Sequence, residues 1–465
     1  MKTKTGGFIY GVEGLDKLLS GTLRPSTLTV ILGHPGSGKT TLASTICYAN
    51  ALKGHKCLYI SFQEDKEKMF ELLSERNIDF KLVESKDLLK FIKFPILTRG
   101  EDVENVINTI NDVINEFKPK VVVVDSITPI LKTLSKDISA RALIQNYFAE
   151  LPRIVDGIVI LVSEVDINAE KARIGGLEFI ADIVLFLKLK IKHNLLIKEL
   201  EIRKVKYVPI TIARLPFTIG NNGFKVLIPP RLEEIPAISK NKIFKIPCKI
   251  LQELLGNLYG GDMIYIAYPP DARPHQLLVF ILALTKLNNC RTLVISYRLS
   301  PNQLVQTFEE ICKEITGLQV DIRNYLGGNT RIVAFNTSAY SIEELYVREL
   351  ELIDKFKPDI VVFLGIEGIA PHDINEYINL LNNQVLYLRS RGVLVFRVGT
   401  YVNELMYAIN SSLATGIAKY ICRREGDGLR REVYVWRNGR DPVLVPYELL
   451  TKYLSEEISL ILGEL

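Results

Sequence analysis

At 465 residues and 48% hydrophobic content, the chain is too long for one core and is expected to bury at least two. Its formal charge of +5 is small for that length, so composition points neither toward a nucleic-acid partner nor away from one. Cys47, Cys57, Cys248, Cys290, Cys312 and Cys422 stand far apart without CxxC spacing. That pattern excludes a recognisable zinc or disulfide framework and fits a reducing, cytoplasmic setting. The segment Met1–Gly7 is charged with no apolar run behind it, and the longest apolar stretch, Leu277–Leu284, is too short to span a bilayer. No membrane insertion is expected. Abundant Ile, Leu, Lys and Glu, with a single tryptophan, lean toward a thermophilic source.

The first informative element is an apolar strand, Leu28–Leu32, followed by Gly33-His34-Pro35-Gly36-Ser37-Gly38-Lys39-Thr40-Thr41 and then a helical stretch. This satisfies the GxxxxGK[ST] phosphate-loop pattern in its required context, so a nucleoside triphosphate, expected to be ATP, is the implied ligand. Glycines let backbone N–H groups turn inward around phosphate oxygens, and the following helix adds the positive end of its dipole. Lys39 brings a mobile cation to the terminal phosphates, and the Thr40 hydroxyl suits Mg2+. His34 fills a variable loop position and reads as a tolerated polar residue. Next, Leu58-Tyr59-Ile60-Ser61-Phe62 reads as a strand ending in Gln63-Glu64-Asp65. Glu64 is a candidate base for the attacking water, whereas Gln63 can orient water but cannot take its proton. Asp65 reads as the start of a helix. Four valines then end in Asp125, as expected for a buried parallel strand delivering a second magnesium ligand to the sheet edge.

Beyond this point the chain repeats itself at an offset near 235 residues. Ile60-Ser61-Phe62 recurs as Ile295-Ser296-Tyr297, and Phe117-Lys118-Pro119 before the valine run recurs as Phe356-Lys357-Pro358 before Ile360–Phe363. Each half alternates short apolar strands with helical stretches, which implies an α/β fold with a mostly parallel sheet covered on both faces. The expected domains are residues 1–228 and 246–446, with a Pro- and Lys-rich linker at 229–245 and a C-terminal helix at 447–465. Only the first copy keeps its chemistry. The second loop reads Tyr268-Pro269-Pro270-Asp271-Ala272-Arg273-Pro274-His275, with Pro274 where Lys39 stands, and its valine-like strand ends in Leu364-Gly365 where the first ends in Asp125-Ser126.

Several segments together resemble the KaiC-like branch of the RecA superfamily through both halves. Tyr10-Gly11-Val12-Glu13-Gly14-Leu15-Asp16-Lys17-Leu18-Leu19 is similar to that family's TGIxGLDxLLxGG opening, and Val121–Thr128, Leu161–Glu164 and Gly176–Asp182 match further motifs. The resemblance implies two tandem RecA-like P-loop NTPase domains, the second degenerate, in a homo-oligomer. It also implies that the first residue after the strand ending at Phe62 activates water; here that residue is Gln63, so slow, weak ATPase activity is expected. A Lys-x-Arg finger in the family reaches a neighbouring subunit's nucleotide, and Lys204-Val205-Lys206 occupies the similar place without arginine's fork. The family's autokinase activity belongs to its second domain, whose nucleotide motifs are lost here. The implied role is a nucleotide-dependent switch or assembly platform. Two alternatives stand beside it: a RadA-paralogue-like accessory ATPase that engages DNA, and a regulatory protein resembling GvpD that acts through protein partners. The helically spaced apolar residues of 446–462 favour the latter slightly.

Overall fold

The structure, a computed structural model, describes residues 7–95, 101–133, 138–165, 177–192, 195–206, 208–210, 213–221, 223–230, 232–270, 276–317, 319, 321–369, 374–401, 404–425 and 428–463. The chain divides into two compact units, residues 1–228 and 229–465.

In the first unit, nine strands form one sheet: β1 (Thr27–Gly33), β2 (Cys57–Ser61), β3 (Leu89–Lys93), β4 (Val121–Asp125), β5 (Ile158–Glu164), β6 (Ile183–Lys192), β7 (Leu195–Val205), β8 (Arg214–Gly220) and β9 (Gly223–Val226). Their order is β3-β2-β4-β5-β1-β6-β7-β8-β9. Pairing is parallel from β3 through β6 and antiparallel beyond it. The four valines before Asp125 explain themselves here. Val121 and Val123 enter one core with the helix Lys39–Leu52, while Val122 and Val124 enter another with the helices Glu101–Phe117 and Ile138–Ile154. A strand buried on both faces needs no polar alternation.

The second unit begins with a small antiparallel pair, β10 (Ser239–Phe244) and β11 (Leu258–Gly260). Residues 239–244 of the segment expected as a linker thus form a strand. Phe244 is buried in the second core, while the lysines and proline around it suit a short exposed strand and imitate a linker's composition. Eight strands follow: β12 (Met263–Tyr268), β13 (Thr292–Ser296), β14 (Thr330–Ala334), β15 (Ile360–Leu364), β16 (Leu394–Thr400), β17 (Gly416–Glu425), β18 (Gly428–Arg437) and β19 (Val443–Pro446). Their order, β14-β13-β15-β16-β12-β17-β18-β19, reproduces that of the first eight strands of the first sheet, β3 through β8. Both units are thus RecA-like α/β sheets flanked by helices. The helix Tyr447–Gly463 buries Leu450, Leu454 and Ile458 in its own unit's core, so most of its apolar spacing serves internal packing.

One face of the second sheet is built differently from its counterpart. Where Leu161 of β5 packs into an apolar core, Arg397 of β16 is buried; each pairs with the equivalent residue of the central strand, Val30 and Tyr265. Arg397 donates from Nε to Asn410 Oδ1 at 2.9 Å and from Nη2 to the Tyr377 hydroxyl at 3.1 Å, and its guanidinium lies over the Phe363 ring. Gln384 links this arginine to buried Glu349, accepting from Nη1 and donating to Glu349 Oε2. Tyr297 donates to the other carboxylate oxygen. Burial pushes the Glu349 carboxyl up from its ordinary 4.5 to about 7, against the pull of Tyr297, Gln384 and Arg397. The folded chain therefore holds a proton that the unfolded chain releases. The stabilisation is full below pH 4.5 and is lost as pH rises through about 7. Denaturant unfolding of the full chain, followed by hydrogen exchange in β15 and β16, should show protection falling across that window, and Glu349→Gln should flatten the slope.

Candidate nucleotide site

The parallel strands of the first sheet all end at one edge, and the loop after β1 lies there. Gly36 and Gly38 have φ of +73° and +95°, left-handed conformations that let the chain curl before the helix Lys39–Leu52 begins. Lys39 is buried, and its Nζ donates to the His34 carbonyl oxygen at 2.9 Å. Thr41 is the third residue of that helix and its carbonyl accepts from the Thr45 hydroxyl at 2.7 Å. His34 has a role that the sequence did not reveal. Its ring is buried edge-on to Phe186, and Nδ1 accepts from the Leu189 amide at 3.2 Å, fastening the loop to β6. Burial pushes the imidazole's pKa down, so the neutral ring that this acceptor geometry requires is also the favoured one.

Asp125 ends β4 with its carboxylate buried. The Tyr59 hydroxyl donates to Oδ2 at 2.8 Å, the Thr40 hydroxyl also donates to this carboxylate, and Ser44 donates in turn to the Tyr59 oxygen at 3.3 Å. Burial raises the Asp125 pKa and these donors oppose the rise. The threonine of the loop and the aspartate of β4 are thus brought together although 85 residues separate them in sequence. Tyr59 sits one strand away, at the register position of Val123. Reading Leu58–Phe62 as an apolar strand gave it no more than a packing role.

Gln63 and Glu64 follow β2 and are exposed. Ser61 Oγ anchors the turn, accepting from the Glu64 amide at 3.0 Å and donating to its carbonyl at 2.8 Å. The Glu64 carboxylate lies 3.7 Å from Lys68 Nζ, and its charge raises the pKa of Asp125. Asp65 takes the position before the helix Lys66–Ser74, although its carboxylate caps no amide and pairs instead with Lys93.

Lys204 and Lys206 lie at the opposite end of the sheet. Lys204 Nζ donates to the carbonyls of Glu178 and Phe179 at 3.2 and 2.8 Å, and Lys206 Nζ meets Asp182 Oδ1 at 2.7 Å. Asp182 also accepts from the amide of Leu28, near the start of β1. Seven residues of strand, about 20 Å, separate that end from the phosphate loop. The pair is therefore not part of its own chain's loop.

Residues 9–231 match the family model for the KaiC ATPase. The first unit is a KaiC-like ATPase domain of the RecA superfamily. Across more of its length, the chain is 22% identical over 368 residues to circadian clock protein KaiC3 of Synechocystis sp., a match covering 77% of this chain and 72% of that protein. It is 25% identical over 306 residues to circadian clock oscillator protein KaiC of Parasynechococcus marenigrum, spanning 64% of this chain but only 59% of the relative. Against the KaiC of Synechococcus elongatus the figures are 23% over 367 residues, 77% and 69%.

The second unit carries different residues at the KaiC-like positions. Asp125 pairs with Val162, opposite Ile31 of the central strand; Leu364 pairs with Val398, opposite Ile266. Leucine thus occupies the aspartate position. Tyr59, paired with Val123, corresponds to Val294, paired with Val362. Pro274 and its neighbours, residues 271–275, lie outside the described residues. Among the described residues no group of three His, Cys, Asp or Glu side chains is arranged to hold a metal ion, and no helix is long and apolar enough to cross a membrane.

Replacing Tyr59 by phenylalanine removes one of the two side-chain donors to a buried carboxylate. Denaturant titration without nucleotide should show a loss of about 1.5–3 kcal/mol, as for other hydrogen bonds to charged groups. An unchanged midpoint would mean that Asp125 does not depend on this donor.

Proposed function

We propose that the protein is a slow ATPase with one nucleotide site per chain, in residues 1–228, and that residues 246–446 form a nucleotide-free RecA-like platform for assembly or partner binding. What carries this reading is the contrast between the two sheets: the Thr40–Asp125–Tyr59 cluster beside the loop of one, and Leu364 and Val294 in the other.

The residues present suit a triphosphate with Mg2+. Ser37 Oγ and Ser126 Oγ are buried without hydrogen-bond partners, one inside the loop and one beside Asp125. Phosphate oxygens and the metal's water shell are groups that would satisfy them. The loop amides and Lys39 would hold the phosphates; Thr40 and Asp125 would hold the magnesium, which neutralises phosphate charge when bound. Lys39 must then leave the His34 carbonyl and turn toward the phosphates. Gln63 orients water without accepting its proton, and Glu64, on the same turn, supplies the carboxylate that can. Turnover is slow because the acid stands one residue beyond the expected position, on an exposed turn, paired with Lys68.

Lys204 and Lys206 lie at the far end of the sheet from their own loop, which supports a ring or stack in which they meet a neighbouring copy's nucleotide. The switch would then be the coupling of nucleotide state to the contact between copies. Lysine offers a point charge where arginine would grip two oxygens, which again favours slow turnover.

Calorimetry of the full chain should give one magnesium-ATP site, lost in Lys39→Ala; two sites per chain would contradict the reading. In steady-state hydrolysis, Gln63→Glu should raise the rate. Glu64→Gln should lower it at least tenfold, about 1.4 kcal/mol of barrier. An undiminished rate would remove Glu64 from the chemistry.

A further inference from the structure

The strand next to β1, which leads into the phosphate loop, ends in an acid that the reaction just described does not use. Strand order at the edge is β2-β4-β5-β1, and Glu164, the last residue of β5, is in direct register with Gly33, the first residue of the loop. One strand spacing, about 4.8 Å, separates their backbones, whereas β2, which carries Gln63 and Glu64, is three spacings from β1, about 14 Å. Glu164 is held in place by its backbone. Its amide donates to the Thr128 hydroxyl at 2.8 Å, and the next amide, Val165, donates to the Gly33 carbonyl at 3.1 Å.

The internal repeat supplies a control. The residue in register with Tyr268, where Gly33 stands in the first unit, is Thr400, which occupies the position of Glu164. A carboxylate is present nearby, but it comes from Glu367 and is turned to other work. It accepts from the Thr400 amide at 3.0 Å and hydroxyl at 3.3 Å, and faces Arg298 at 3.6 Å. By contrast, Ser61, which braces the turn after β2, persists as Ser296 and still accepts amides of the following turn, from Arg298 and Leu299. The bracing serine is common to both units. Asp125, Tyr59 and Glu164 are replaced together, which groups Glu164 with the phosphate site and not with the scaffold.

We propose that Glu164 is a third acid of the nucleotide site, a specificity-determining residue whose charge beside the loop makes the site select magnesium-bound ATP over free ATP. This rests on the reading of the first unit as the ATP site. Glu164 ends the strand next to β1, and Asp125 ends the strand beyond it, so two carboxylates share the edge with the phosphate loop. Bare ATP brings about four negative charges against them, and magnesium cancels two, so the repulsion from Glu164 falls mainly on the metal-free nucleotide.

The test is calorimetric affinity of the full chain for ATP with excess magnesium and, separately, with EDTA. Wild type, Glu164→Gln, Glu164→Asp and Glu164→Thr, the last being the second unit's own residue, are compared. The charge-removing variants should bind magnesium-free ATP about tenfold more tightly, and magnesium-ATP less than about threefold more tightly; Glu164→Asp should keep the wild-type ratio. A purely structural glutamate would weaken both affinities when replaced. Unchanged or weakened metal-free binding in both charge-removing variants, with wild type binding normally, overturns the assignment of Glu164 alone. Failure of wild type to bind either form overturns the ATP site itself, and the proposal with it.

Discussion

The buried carboxylate of Asp125 is the constraint around which the first unit is arranged. An acid with its charge inside a sheet edge survives only with donors placed on it, and two come from different elements: Thr40 from the helix after the loop, and Tyr59 from the neighbouring strand. Ser44, one turn further along the same helix, donates to Tyr59 and completes the chain of hydroxyls. The helix is thereby fixed against β2 and β4. Fixing the helix fixes the loop before it, and with the loop the position of Lys39. The apolar strands on both faces provide the rigid frame in which these few polar contacts hold their geometry.

The second unit keeps the frame and changes the polar chemistry. With Leu364 and Val294 at the aspartate and tyrosine positions, its strand ends need no donors. A polar cluster is buried elsewhere, where Arg397, Gln384, Glu349, Tyr297, Tyr377 and Asn410 satisfy one another between the sheet and its helices. The two copies therefore place their costly buried charges differently: at the strand ends in one, within the core in the other. A charge beside an open edge is available to a ligand; one enclosed by its own partners specifies packing.

Much of this was legible in the sequence because strand-end residues are fixed by periodicity. Four valines ending in Asp125 and an apolar run ending at Gly33 define two neighbouring strand ends before any contact is seen. The repeat likewise announced the second sheet, since Phe356-Lys357-Pro358 precedes its strand as Phe117-Lys118-Pro119 precedes the first. Residues whose roles depend on cross-strand register were not legible. Tyr59 looked like packing, His34 like a variable loop residue, and Glu164 like the end of a family motif. Their partners, Asp125, Leu189 and Gly33, lie 66, 155 and 131 positions away. The strand Ser239–Phe244 was hidden for another reason: lysine and proline mark exposed edges and linkers alike.

Hydrogen exchange on the full chain, with and without magnesium-ATP, tests most directly the claim that nucleotide chemistry belongs to one sheet edge only. The account predicts added protection in peptides covering the loop and first turn of residues 33–41, the ends of β2 and β4 through Ser126, and Glu164. The corresponding second-unit peptides, at Tyr268, Ser296, Leu364 and Thr400, should gain none of comparable size. Equal protection at both sets of strand ends, or none at the first, would contradict it.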